Sequence, residues 1–149
     1  MEELQNQAKI LLADVFALYL KTHFYHWNVE GDDFYPNHLF FGELYEEIYG
    51  SVDSLAEHIR ALNAYAPGSL ARYKSLTNIS EDDVIKSPSE MVTQLFADNA
   101  IVMSSIKRVF ELAETENEIG FSNFLQDRYD VHKKHQWMLR SILKRANNG

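Results

Sequence analysis

The sequence predicts an all-α chain, a bundle of four long helices with a short extra helix in the connection between the second and the third. Three observations carry this. Apolar residues recur at steps of three and four from the N-terminus onward, the spacing of a single buried helical stripe. No stretch alternates apolar and polar residues as a half-buried strand would. The one long interruption, residues 69–86, separates the second helical pattern from the third and is too long for a tight hairpin.

In the first helix Leu4, Ala8, Leu11, Val15, Leu18 and Thr22 form the stripe, and the pattern runs to about Asn28. "VEGDDFYP" then breaks it with Gly31 and Pro36, and proline suits the first turn of a following helix. The second helix extends from about Pro36 to Ala64 on Phe41, Leu44, Ile48, Val52, Leu55, Ile59 and Leu62, a long run for a globular protein. "AYAPGS" ends it, and a short helix around "LARYKSL" and a solvated acidic turn, "SEDD", fill the connection. Ser87, Pro88 and Glu90 open the third helix as a capping box with a first-turn proline. Its core face is Met91, Leu95, Val102, Ile106, Val109 and Ala113. At "ETENE", Thr115 and Glu118 are expected to form a second capping box, from which the fourth helix runs to about Ala146. Four helices with a long second connection describe a ferritin-like bundle rather than a simple up-and-down one.

A chain of 149 residues that is 46% hydrophobic has material for one core, so residues 1–149 are read as a single domain. Cysteine is absent, which excludes disulfides and thiolate metal sites and fits a reducing compartment, the cytoplasm. The N-terminal apolar run has no basic lead-in and is broken by Asp14, so it reads as neither a signal peptide nor a membrane span. A formal net charge of -8 repels phosphate backbones and attracts cations.

The cation chemistry is carried by six histidines, His23, His26, His38, His58, His132 and His135, and by Asp53 and Glu57, which project four residues apart from one side of the second helix. An acidic pair at this spacing is, alone, ordinary solvated surface. Here Val52, Leu55, Ala56 and Ile59 surround it, and a carboxylate edging an apolar surface calls for a cation. The Glu-x-x-His motif of an in-bundle di-iron site is missing, since Glu57 is followed by Arg60 and none of His58, His132 and His135 has a glutamate three residues upstream. Along a helix His38 and Asp53 stand roughly 22 Å apart, and His38 and Glu57 roughly 28 Å. Metal bonds are about 2 Å long, so one chain cannot bring these groups to one ion. His26 lies just across the interhelical turn from His38. Two copies of the second helix, packed antiparallel about a twofold axis, would set the histidines of one chain beside the carboxylates of the other.

The segment "YHWNVEGDDFYPNHLFFGELYEEIYGSVDSLAEHIR" resembles the signature of the Dps family, the mini-ferritins, and "HKKHQWMLR" resembles that family's last-helix motif. The resemblance covers most of the chain. It implies a hollow dodecamer built from twofold dimers, each interface holding two ferroxidase sites that oxidise Fe(II) with hydrogen peroxide or oxygen. Ferric iron is then stored inside the shell, a protection against oxidative stress. Carried over by position, His26 and His38 bind iron from one subunit and Asp53 and Glu57 from its partner, with Glu57 suited to bridge two irons. Trp27 matches a tryptophan near the site that can supply an electron. A donor set of imidazole and carboxylate also accepts zinc, manganese or cobalt.

Three departures bear on the transfer. Relatives often carry an aspartate four residues after the second histidine, where this chain has Gly42 with Glu43 next door. One residue turns a helical side chain by about 100°, and two arrangements stay open: Glu43 turning back to the site, or a second iron held weakly during turnover. Lys133 stands where relatives place an acid along an iron-conducting pore. The lysine-rich tail that serves DNA coating has no counterpart, as Lys9 is the one basic residue among the first twenty, and Lys144 and Arg145 near the other end are too few for cooperative phosphate contacts. The expected function is therefore a mini-ferritin ferroxidase, with a shell of weakened iron chemistry as the alternative and a DNA-coating protein behind both. His23 reads as a hydrogen-bonded interface residue, and His58, His132 and His135 as packing groups. A gel-shift assay at low salt is expected to show duplex DNA unretarded; retention that disappears as salt is raised would restore the DNA-coating reading.

Overall fold

The stripes meet in one core. The structure, a computed structural model, describes residues 1–148 as six helical segments: α1 (Glu2–Asn28), α2 (Phe34–Gly50), α3 (Val52–Ala61), α4 (Leu70–Leu76), α5 (Pro88–Thr115) and α6 (Ile119–Asn148). No strand occurs among the described residues. The Arg145 side chain and Gly149, part of the C-terminal basic segment considered above, lie outside them. Helix α1 packs against α2 and α5, α5 packs against α6, and the short α4 lies across α1. All the predicted stripe residues of α1 and α5 are buried, while Val52 is only half-buried. No helix among the described residues is long and apolar enough to cross a membrane.

The predicted second helix differs in its bounds, running from Phe34 to Ala61 in place of Pro36 to Ala64, and in being two segments interrupted at Ser51. There the Ser51 hydroxyl donates to the Ile48 carbonyl at 2.7 Å, and the Ser51 backbone N–H turns to the same oxygen at 3.2 Å. A side chain that bonds into the backbone ladder is an ordinary cause of such an interruption. The apolar spacing continues in phase across the bend, so periodicity alone does not reveal it.

Helix ends follow local chemistry. The Ser87 capping box forms, with the Glu90 N–H donating to Ser87 Oγ at 3.2 Å. The expected Thr115 and Glu118 box does not: Thr115 remains inside α5 and its hydroxyl donates to the Glu111 carbonyl. The turn is made instead by Asn117 at φ 59°, whose N–H bonds Glu114 O while the Glu118 N–H bonds Ala113 O. Asn63, at φ 63°, closes α3 in the same way on Arg60 and Ile59. Both are Schellman motifs, and asparagine tolerates the left-handed backbone they require.

The buried polar groups set the register between helices. Asp14, which interrupts the first apolar run, accepts from the Thr77 hydroxyl and the Asn78 N–H, each at 2.7 Å, and so fastens the long connection to α1. The Tyr25 hydroxyl and Lys86 both reach Asp82, farther along the same connection. Burial would raise the Asp82 carboxyl, but these two bonds hold it down at about 2. Lys21 of α1 and Asp98 of α5 form an ion pair at 2.6 Å with side chains 4% and 3% exposed, and Gln94 also donates to Asp98. Asp98→Ala leaves a buried ammonium without its partner and is expected to cost about 3–5 kcal/mol, read as a lower urea midpoint. Lys21→Met with Asp98→Leu should recover most of that loss; a single variant that unfolds like the wild type would show the pair to be dispensable.

Candidate metal centre

The turn between α1 and α2 brings His26 and His38 face to face. Their rings stack with centroids 3.9 Å apart and planes 16° from parallel. Each ring is fixed by the backbone of the other residue: His26 Nδ1 lies 2.7 Å from the His38 carbonyl oxygen, and His38 Nδ1 lies 2.7 Å from the His26 carbonyl oxygen. A carbonyl has no proton to give, so both Nδ1 atoms carry the hydrogen. In the neutral imidazole this leaves the lone pair of both Nε2 atoms without a proton, the tautomer that a metal-ligating histidine adopts when an oxygen acceptor holds its other nitrogen. The same bonds serve the fold. His26 lies in the last turn of α1, where carbonyls have no intrahelical donor, and the His38 ring supplies one.

Around this pair stands an aromatic layer. His23 stacks on Tyr45 with ring centroids 3.8 Å apart and meets Trp27, tilted by 31°, at the same centroid distance of 3.8 Å, and its Nδ1 is 3.0 Å from the Tyr19 hydroxyl. Burial and the neighbouring His26 lower its pKa. Trp27 is 58% exposed, with one face on His23. His58 lies elsewhere, packed on Phe121 and Phe124.

The carboxylates are not with the histidines. Asp53 and Glu57 lie beyond the Ser51 bend, one helical turn apart on α3, both exposed and flanked by buried Leu55 and Ile59. Glu43 is exposed on α2. No three His, Cys, Asp or Glu side chains among the described residues are grouped so as to hold a metal within one protomer. Of the sequence-derived set, the protomer thus unites His26, His38 and the neighbouring Trp27, and leaves Asp53, Glu57 and Glu43 outside.

The ferritin-like domain family matches residues 5–148 of the chain. "DNA protection during starvation protein 2" of Bacillus anthracis is 30% identical over 132 residues, spanning 89% of this chain and 90% of that protein. Among solved structures, a Dps protein from Vibrio cholerae, described as a member of a broad superfamily of ferritin-like diiron-carboxylate proteins, superposes with a TM-score of 0.92 at 29% identity, covering 95% of this chain and 89% of its own. A Dps protein from Bacillus brevis superposes at 0.91 with 28% identity, covering 95% of each chain.

Sequence reasoning missed a second polar assembly inside the bundle. Arg128 of α6 grips Glu47 of α2 with two nitrogens at 2.6 and 2.9 Å, and His135 lies 3.0 Å from the same carboxylate. Burial would raise Glu47, but the bonds from Arg128 and His135 hold it well below the usual carboxylate range. His132, fully buried, meets Asn99 Oδ1 through Nδ1 at 2.7 Å, and its Nε2 faces Arg128. Asn99, an amide on the apolar face of α5, was the signal; its partners depend on helix register, which spacing does not reveal. Burial, then the Arg128 charge, lowers His132 from 6.5 to about 3. Its neutral form therefore contributes stability that is complete above pH 6.5 and lost as pH falls through about 3. The urea midpoint of the assembled protein should fall across that window, and His132→Gln, though less stable at neutral pH, should show a shallower fall between pH 6.5 and about 5.5, above the range in which Glu47, with an ordinary pKa of 4.5, begins to protonate. An equally steep fall in the variant would remove His132 from the account.

Proposed function

The chain belongs to the Dps branch of the ferritin-like family, and from that premise we propose that it is a ferroxidase whose sites form between two subunits and which stores the ferric product in an oligomeric shell. One observation supports this most: the reciprocal Nδ1–H bonds of His26 and His38 to each other's carbonyls, which orient two unprotonated Nε2 atoms without help from any other side chain. In the protomer such a pair is half a coordination sphere. Asp53 and Glu57, exposed one turn apart on α3, are hard donors for the other half.

Two copies related by a twofold axis, with α2 and α3 of each laid antiparallel on the other, supply both halves twice. Fe(II) is the substrate. The imidazoles favour capture of the divalent ion, and the partner's carboxylates, by their negative charge, favour the ferric state. With hydrogen peroxide as oxidant, each of two Fe(II) ions gives up one electron, the O–O bond breaks, and two protons are taken up to leave two waters. Trp27, whose ring meets His23, is the residue that would give an electron when only one iron is available. Zinc, manganese and cobalt suit the same donors and would compete. The shell is taken as a dodecamer acting in the cytoplasm, and its acidic charge opposes DNA binding.

The intersubunit assignment has a direct test by complementation. His26→Ala/His38→Ala and Asp53→Ala/Glu57→Ala proteins should each assemble yet lose rapid Fe(II) oxidation in stopped-flow measurements. Unfolded together, mixed in equal amounts and refolded, they should regain roughly a quarter of the wild-type amplitude, because half of randomly formed pairs are mixed and each mixed pair holds one intact site of two. No recovery in mixed shells of normal size would sink the shared site.

A further inference from the structure

The polar assembly between α2, α5 and α6 is organised around one cation. Glu47 gives both carboxylate oxygens to Arg128, at 2.6 and 2.9 Å. His132 is fixed from behind. The Asn99 Nδ2 donates to the His132 carbonyl and to Gln136 Oε1, so its Oδ1 accepts the Nδ1–H of His132, at 2.7 Å. The lone pair of His132 Nε2 is thereby aimed at the Arg128 guanidinium, 3.2 Å away. A histidine whose rear N–H is held by an oxygen and whose free nitrogen faces a cation has the posture of a metal ligand. Three residues further along α6, His135 donates Nε2–H to Glu47 Oε1 at 3.0 Å, and its Nδ1 is buried without a partner.

We infer that Arg128 is the resident cation of a carboxylate and imidazole site: its guanidinium stands where Glu47, His132 and His135 would otherwise hold one divalent transition metal, and it keeps metal out of the bundle. The donors lie at hydrogen-bond distance from guanidinium nitrogens, whereas a metal needs bonds of about 2 Å. As the protomer stands, therefore, no three such side chains among the described residues are grouped to hold an ion. A free ion cannot enter beside Arg128 without leaving a buried guanidinium unpaired. With the guanidinium removed, the same donors can close in. Glu47 Oε1 and His135 Nε2 are already 3.0 Å apart, close to the separation of about 3.3 Å between neighbouring ligands on a tetrahedral ion. The His135 ring stays neutral on binding if its proton moves from Nε2 to the unpartnered Nδ1. Glu47, with a side chain 34% exposed, is the open side through which an ion would arrive. The inference stands apart from the intersubunit centre, since all three donors belong to one protomer.

The test uses the assembled protein in a His26→Ala/His38→Ala background, which removes the other histidine pair. In EDTA, Arg128→Ala should lower Tm, and Zn(II) should restore it by about 5 °C or more. Co(II) should bind that variant, one ion per protomer, with intense visible absorption that Zn(II) abolishes. The background protein with Arg128 intact should show neither effect. Adding Glu47→Gln or His132→Gln to Arg128→Ala should remove both. Should Arg128→Ala not fold in EDTA, it should be recovered by refolding with Zn(II). Failure to fold with and without Zn(II), no metal-dependent rise in Tm, an equal rise with Arg128 intact, or a rise that survives Glu47→Gln and His132→Gln would each overturn the inference.

Discussion

A bundle of long helices cannot leave a charge or an amide unpaired in its interior, and α1 and α5 carry Asp14, Lys21, Asp98 and Asn99 into it. Apolar stripes alone would let α1 and α5 slide by a turn at little cost, because one leucine layer resembles the next. The Lys21–Asp98 pair and the bonds of Asp14 to Thr77 and Asn78 admit one register only. That register carries through to the far end of α1, where Tyr25 meets Asp82 and the next residue, His26, meets His38. The geometry of the candidate centre is thus downstream of polar contacts well removed from it.

Much of this was legible in the sequence because it is local. The stripes, the Ser87 cap, the short helix in the connection and the proximity of His26 to His38 follow from spacing within a few residues. The Ser51 bend was not legible, since the stripe from Phe41 to Leu62 keeps its phase across it and only the serine hydroxyl's choice of the Ile48 carbonyl produces it. The Thr115 cap failed for a related reason: a left-handed Asn117 satisfies the end of α5 first, and the threonine is left inside the helix.

The candidate site was legible in part, its histidine half being the part the protomer brings together. His26, His38, Asp53 and Glu57 could be named, and their separation along the helices could be reckoned, but the reciprocal ring-to-carbonyl bonds could not, because they require the crossing geometry of two helix ends. The Glu47, Arg128 and His135 assembly was hidden because its members come from helices eighty residues and more apart in the chain.

On the proposed reading, the His26 and His38 bonds tie occupancy to rigidity. A cation drawn to either Nε2 withdraws electron density from the ring and makes its Nδ1–H a stronger donor, and that donor grips the opposite strand of the hairpin, at His26 the orphan carbonyl at the end of α1. Loading one ring therefore tightens the clasp that aims the other. Were a cation to bind there as proposed, affinity for it and the mechanical firmness of the helical corner would rise together.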